Sequence, residues 1–242
     1  MILRDEAIVL KGQNWSETSR IVHAFALHGG RIKLVARGAR RPKSRFGAAL
    51  EPGTLAQVVY YASRNSDLHT ASEAAVLWRP LCADLDAFRL APVALELAYK
   101  AAPAETPNVA LFRNLLAFLQ SVDAGPDDSR FTRLAAFYLL ALNNLGYDPV
   151  LDRCLCCRRP AAGGPLWFSA ARGGLVCAEC RRRVPETVPL DDGQSRALRM
   201  WQAHRALPEL DPGEAKRLLE VLAAFLNHHI AGRSRMVCTA YL

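Results

Sequence analysis

The sequence has no apolar stretch long enough to cross a bilayer. Its longest, residues 134–142, is about half of what a spanning helix needs. The opening Met1-Ile2-Leu3-Arg4-Asp5-Glu6 carries charges where a secretory leader needs an uninterrupted apolar core, so a cytoplasmic protein is expected. No Gly-x-x-x-x-Gly-Lys-Ser/Thr loop is present, which removes the commonest device for nucleotide hydrolysis. Long internal repeats and low-complexity tracts are also missing. Acidic residues occur in pairs, Asp84/Asp86, Asp127/Asp128 and Asp191/Asp192, each at an expected helix start, where capping explains them better than a two-metal nuclease does. His228 and His229 fall on a helix beside Phe225 and Leu226, a packing position rather than a metal site. No catalytic centre can be assembled, and an enzyme is not expected.

What is present is a folded chain of 242 residues, 51% apolar and 22% charged, long enough for one large core or two to three small ones. Its net charge of +8 is concentrated in two blocks. Residues 1–80 hold 12 Lys/Arg against 6 Asp/Glu, and residues 150–185 hold 7 against 2; the rest is slightly acidic. Such local excess attracts a polyanion and speeds encounter with it.

The first 80 residues pattern as β. Strands are expected at 7–10, 20–26, 31–36, 55–62 and 68–76, with the polar Gln13-Asn14-Trp15-Ser16-Glu17-Thr18-Ser19 as a connection and His28-Gly29-Gly30 as a hairpin turn. Five short strands suit a small closed barrel of the oligonucleotide-binding (OB) type, with an SH3-like barrel as the other solution. In the third strand Arg31, Lys33 and Val35 share the solvent face, and Ile32, Leu34 and Ala36 face the core. Between Arg31 and Arg45 stand seven cations and no acid: Arg31, Lys33, Arg37, Arg40, Arg41, Lys43 and Arg45. Gly38, Pro42, Ser44 and Gly47 make the later part a mobile loop, ending at Phe46, which either stacks on a base or anchors the loop. Such an arm neutralises phosphates without reading sequence; five contacts to a single strand give a salt slope of roughly −3.5.

After residue 80 helices dominate: residues 81–102, interrupted at Pro92; a helix after Asn108; one at 130–145 capped by Asp128-Ser129 and stopped at Gly146; and one opened by Asp211-Pro212-Gly213-Glu214. The expected architecture is α+β and multidomain: a barrel at 1–80, a helical bundle from 81–149 with 186–242, and an inserted module at 150–185.

The sharpest motif lies in that module. Cys154-Leu155-Cys156-Cys157 and Cys177-Ala178-Glu179-Cys180 form two CxxC pairs, with 19 residues between Cys157 and Cys177. This spacing is that of a four-cysteine zinc finger, in which each tight turn brings two sulfurs to about 2.3 Å from the metal. Four thiolates leave no open position, so one structural Zn²⁺ per chain is expected from Cys154, Cys157, Cys177 and Cys180. Cys156 competes for a place in the sphere and ranks as a bystander; Cys82 and Cys238 are isolated. Arg153, Arg158, Arg159, Arg172, Arg181, Arg182 and Arg183 run through the module, either as a solvated surface or as a second nucleic-acid contact.

The order of parts resembles the bacterial DNA repair RecO family. The phrase Gly146-Tyr147-Asp148-Pro149-Val150-Leu151-Asp152-Arg153-Cys154 is similar to the family's lead into its first cysteine pair. Phe168-Ser169 and Gly173-Gly174-Leu175-Val176-Cys177 are similar to its return into the second. Glu17-Thr18-Ser19-Arg20-Ile21-Val22 and Gly38-Ala39-Arg40-Arg41 are similar to its barrel hairpin. The resemblance implies a recombination mediator with an N-terminal OB-fold. It would bind single- and double-stranded DNA and anneal complementary strands. With RecR it would help load RecA recombinase on DNA coated by single-strand-binding protein (SSB), whose C-terminal tail the helical part binds. It carries the zinc ligands to Cys154, Cys157, Cys177 and Cys180, and the barrel's basic positions to Lys33, Arg37, Arg40 and Arg41. A zinc-ribbon transcription regulator, which would show sequence preference, and a Mg²⁺-dependent nuclease are the competing readings.

Overall fold

The structure, a computed structural model, describes residues 1–80, 85–124, 128–161, 164–205 and 208–229. Cys82, Asp84, Asp127, Gly163 and Cys238 lie outside these. The chain divides into two compact units, Met1–Gly125 and Pro126–Leu242.

The first unit is built on five strands: β1 (Ile2–Asn14), β2 (Arg20–Ala26), β3 (Gly30–Ala36), β4 (Leu55–Tyr61) and β5 (Leu68–Trp78). They close into a barrel in the order β1-β2-β3-β5-β4, with β3 and β5 parallel and the other neighbours antiparallel. This is the OB-fold order, and it decides against the SH3-like alternative. β1 is longer than the expected 7–10, because Ile2 to Ile8 pairs with β4 while Ala7 to Asn14 pairs with β2. The residues at its ends carry no apolar pattern of their own, and backbone pairing on two sides recruits them.

Alternate side chains, among them Ala7, Val9, Val22, Ala24, Ile32, Leu34, Val58 and Tyr60, fill the barrel. The opposite face of β2 is buried too: Ile21 and Phe25 are 2% and 0% exposed. Two-sided burial removes the usual alternation of a strand. Its cover is helical. α1 (Leu85–Ala101) packs on β1 and β2 and against α2 (Val109–Asp123). Phe25 meets Phe112 at 5.9 Å between ring centroids, and His23 meets Tyr99 edge-on at 5.0 Å. α1 passes through Pro92 without ending. Asn108 caps α2, its Oδ1 accepting from the Leu111 N–H at 3.0 Å. α1 and α2 lie in the same compact unit as the barrel.

The second unit contains α3 (Arg130–Asn144), β6 (Leu166–Ser169), β7 (Gly174–Cys177), α4 (Ala178–Arg181), β8 (Thr187–Leu190), α5 (Asp192–Gln202) and α6 (Pro212–His229). α3 packs on α5 and α6, burying Leu134, Tyr138, Trp201, Leu218 and Leu222. The expected Ser129 cap is not made: its side chain has no capping bond, although α3 begins where predicted. Asp191 and Gln194 form a capping box on α5. Asp211 accepts from Gly213 and Glu214 at the start of α6, and Glu214 accepts in return from the Asp211 N–H. Each such cap contributes about 1 kcal/mol. The three-stranded sheet, ordered β7-β6-β8, touches α6 through Phe168 and Phe225. His229 stacks on Phe225 at 4.3 Å, the packing role expected of it.

One turn joins β2 to β3 under tight constraint. Buried Asp5 accepts from the backbone N–H groups of His28 and Gly29 at 3.0 and 2.8 Å, and Gly30 follows at φ +68°. A Cβ on Gly30 would run into the Thr106 backbone, whereas one on Gly47, at φ +50°, meets nothing within 4 Å. Gly30→Ala is therefore expected to cost about 2 kcal/mol or more, combining the left-handed penalty with the collision, and Gly47→Ala only about 1 kcal/mol. Urea unfolding of both variants checks the difference.

Candidate nucleic-acid interface and metal centre

The basic segment emerges from β3 and crosses to β4. Residues 37–54, expected as a loop, run as a series of hydrogen-bonded turns. Successive turns are closed by N–H bonds from Arg41 to Gly38, Ser44 to Arg41, Gly47 to Ser44, Ala49 to Phe46 and Glu51 to Ala48, all 3.0–3.3 Å. Phe46, Ala49 and Leu50 are sunk in the barrel core. Phe46 anchors the segment and is closed to a base. The apolar residues that follow the last cation, Arg45, supply this footing, and glycines and serines give the turns.

The seven cations then separate by environment. Arg31 donates from Nε to the Ala102 carbonyl at 3.0 Å and lies over the Tyr99 ring, so it ties β3 to the end of α1. Lys33 faces Asp67 at 3.7 Å. Arg40 donates from Nη1 to the Ser16 carbonyl at 2.9 Å and from its backbone N–H to the Thr18 carbonyl at 3.0 Å. Arg37, Arg41, Lys43 and Arg45 are exposed, and among the described residues none forms an ion pair. Arg45 rests on Phe46 with its guanidinium 5.2 Å from the ring centre. Four of the expected cations thus remain open to a polyanion, and three are partly committed to the protein itself.

Beside them runs a groove of about 520 Å³, lined by Trp15, Ser16, Thr18, Ser19, Val35, Arg37, Gly38, Arg41 and Leu68. It lies between the β1–β2 connection and the exit of β3. Sequence reasoning placed Trp15 in a polar connection and gave it no role; an isolated indole among polar residues was the available signal. Nearby His23 is held below its ordinary value by burial first and then by Lys33, Arg31 and Lys11, so it adds no charge to this face at neutral pH.

In the second unit four sulfurs converge. The Sγ atoms of Cys154, Cys157, Cys177 and Cys180 all lie within 4.8 Å of one another, and Cys157 and Cys177 stand 3.8 Å apart. A tetrahedron with bonds of about 2.3 Å has edges of about 3.8 Å, so the cluster is the size of a four-thiolate metal site. β7 ends at Cys177 and α4 carries Cys180; the first pair sits on a turn fastened to β7 by bonds from Val150 to Gly173, Leu175 to Val150 and Leu155 to Leu175. Cys154 accepts from the backbone N–H of Cys177 at 3.4 Å and of Cys156 at 3.5 Å. Burial pushes the Cys154 thiol up, but hydrogen bonds from the Cys157, Cys177 and Cys156 backbones outweigh it and bring it down to about 6. Cys180 is pushed up to about 12 by desolvation and by its sulfur neighbours. A bound dication would let all four thiols ionise.

Cys156 stays outside the cluster and accepts from Arg172 Nη1 at 3.6 Å. Of the arginines here, Arg159 pairs with Glu179 at 2.7 Å, Arg153 faces Asp152 at 3.7 Å and Arg181 lies over Trp167 at 4.9 Å. Arg158, Arg182 and Arg183 are exposed.

Arg158 closes the first knuckle at φ +64°, a conformation that suits glycine. Relief of left-handed strain, about 1–2 kcal/mol, exceeds the extra chain entropy of glycine, about 0.5–1 kcal/mol. Arg158→Gly is therefore expected to raise the thermal midpoint of the protein slightly, and Arg158→Val to lower it, in parallel melting curves.

The chain matches known proteins along nearly all of its length. The family model described as recombination protein O N terminal matches residues 1–78, and that described as recombination protein O C terminal matches residues 82–236. A DNA repair protein RecO of Anaeromyxobacter sp. (strain K) is 37% identical over 232 residues, covering 93% of this chain and 91% of its own. That of Nocardioides sp. is 33% identical over 241 residues, covering 95% of each chain. That of Pelotomaculum thermopropionicum is 31% identical over 233 residues, covering 95% of this chain and 90% of its own. An OB barrel with an open cationic segment, a four-cysteine cluster sized for a metal, and family matches along nearly all of its length together show that this chain belongs to the recombination protein O (RecO) family of DNA repair and recombination proteins.

Proposed function

We propose that the chain is a recombination mediator that works by holding DNA strands, with no bond made or broken. The observation that carries this reading is the open cationic row Arg37, Arg41, Lys43 and Arg45 on a closed OB barrel. Such a surface binds single- and double-stranded DNA through phosphates and so without sequence preference. Complementary strands held on one basic surface repel each other less and meet at higher local concentration, which is what annealing requires. Of the acidic pairs weighed for a two-metal nuclease, Asp191 is occupied as a helix cap. The family assignment supports action with RecR, loading of RecA on SSB-coated DNA, and binding of the SSB tail by the helical part, in the cytoplasm at the nucleoid.

The metal of the cysteine cluster is zinc in this reading, held by Cys154, Cys157, Cys177 and Cys180 as a closed structural site. An all-sulfur donor set converging within 4.8 Å favours it. When bound, it supplies cross-linking of two knuckles and no chemistry of its own. Metal analysis is expected to give one zinc per chain, and Cys177→Ser with Cys180→Ser to lose it and unfold residues 150–190. Native protein without zinc would contradict the assignment.

The central test is annealing of SSB-coated complementary strands without nucleotide, which the intact chain is expected to accelerate. Replacing Arg37, Arg41, Lys43 and Arg45 together by Ala should abolish most of that acceleration. It should also flatten the slope of log affinity against log salt by about 2.8, four contacts at about 0.7 each on a single strand. An unchanged slope in fluorescence-anisotropy titrations removes this segment from the DNA site.

A further inference from the structure

We infer that Trp15 is a stacking platform for an unpaired nucleobase, so the barrel groove beside it is a site for single-stranded DNA with the base as its specific ligand. This rests on the proposed DNA-binding role and goes further, naming which strand state the groove takes and which side chain tells it apart.

Trp15 leaves 63% of its surface exposed on the connection between β1 and β2. Exposed apolar surface costs free energy, and an indole here does nothing for the barrel core. Its mount is nonetheless ordered. The Trp15 and Ser16 N–H groups both donate to the Ser19 carbonyl, at 3.1 and 3.4 Å, and Ser19 donates to the Ser16 hydroxyl at 3.2 Å. Arg40 then grips the same connection through the Ser16 and Thr18 carbonyls. A basic side chain in the middle of the phosphate-binding segment is thereby used to hold the indole's wall against the segment's own wall. Arg40 is a positioning residue.

Between these walls the groove has a composition suited to a nucleotide. Val35 and Leu68, on the paired strands β3 and β5, and Trp15 line it with apolar surface, and Arg37 and Arg41 line it with two exposed cations. A base that enters brings a flat π-surface and a flanking phosphate, and finds a partner for each. A duplex cannot use the indole in this way, because its bases are already stacked on each other and their faces are closed. Base–aromatic stacking contributes to single-strand affinity without reading sequence. The four open cations, by contrast, act on any polyphosphate.

The test compares Trp15→Ala, Trp15→Phe and the intact chain in anisotropy titrations with oligo(dT), a duplex of equal length and an abasic single strand. Trp15→Ala is expected to bind oligo(dT) about 10-fold more weakly, with duplex and abasic affinities within twofold of the intact chain and an unchanged salt slope. Trp15→Phe should recover most of the loss, and indole emission of the intact chain should be quenched by oligo(dT) more than that of Trp15→Ala. Equal binding of oligo(dT) by the intact chain and Trp15→Ala overturns the inference, as does an equal loss on all three ligands. Failure of the four-cation variant to weaken any of them would instead overturn the proposed DNA site itself. Melting curves of the Trp15 variants matching the intact chain show that the fold is retained.

Discussion

In the first unit, β1 must pair with two neighbours at once. Its N-terminal half lies along β4 and its C-terminal half along β2, with a register shift between Val9 and Lys11 where the ladder bends. Backbone bonds between Val9 and residues 53 and 54 secure the bend. This single strand closes the sheet and removes its free edges. The β2–β3 hairpin, whose register sets Arg20 opposite Ala36, brings the β1–β2 connection to the exit of β3, and the parallel pairing of β3 with β5 adds Leu68 to the groove.

Charge on this surface is graded by what each cation already touches. Arg31, Lys33 and Arg40 have protein partners and give order; Arg37, Arg41, Lys43 and Arg45 have none among the described residues and give attraction. Exposed charges gain little from isolated ion pairs in water, so leaving four cations free costs the fold little. The same four, facing a polyphosphate together, release counterions and gain a great deal. The turn-rich anchoring of residues 37–54 serves this arrangement, since Phe46, Ala49 and Leu50 hold the segment down while its cations point out.

The second unit solves a different problem. The segment around the cysteines is too polar and too rich in glycine to bury much, and its apolar cluster is small, chiefly Val176 and Val184 beside the sulfurs. Backbone pairing of Val150 and Leu155 with residues 173–175 brings the two knuckles close, and four sulfurs within 4.8 Å of one another offer a site for the remaining cross-link. β8 extends the sheet beyond the expected limit at residue 185 and delivers the chain directly to the Asp191 cap of α5, so the cluster is continuous with the helical packing.

Much of this was legible from residues alone where the physics is local. Alternation in residues 31–36 gave the inward and outward faces of β3, CxxC spacing gave the four cysteines that converge, with Cys156 outside them, and Asn108, Asp191 and Asp211 announced helix starts by their side-chain chemistry. Other features depend on neighbours distant in the chain. The length of β1 is set by β2 and β4. The cover over Ile21 and Phe25 is set by α1 and α2. The fates of Arg31 and Arg40 are set by carbonyls 71 and 24 residues away. Spacing along the chain therefore determined which residues could bind phosphate or metal, because those are properties of side-chain type and short turns. Which cations stay free, and that Trp15 stands beside Arg37 and Arg41, was decided only in the folded chain, because strand register and carbonyl partners from other segments set both.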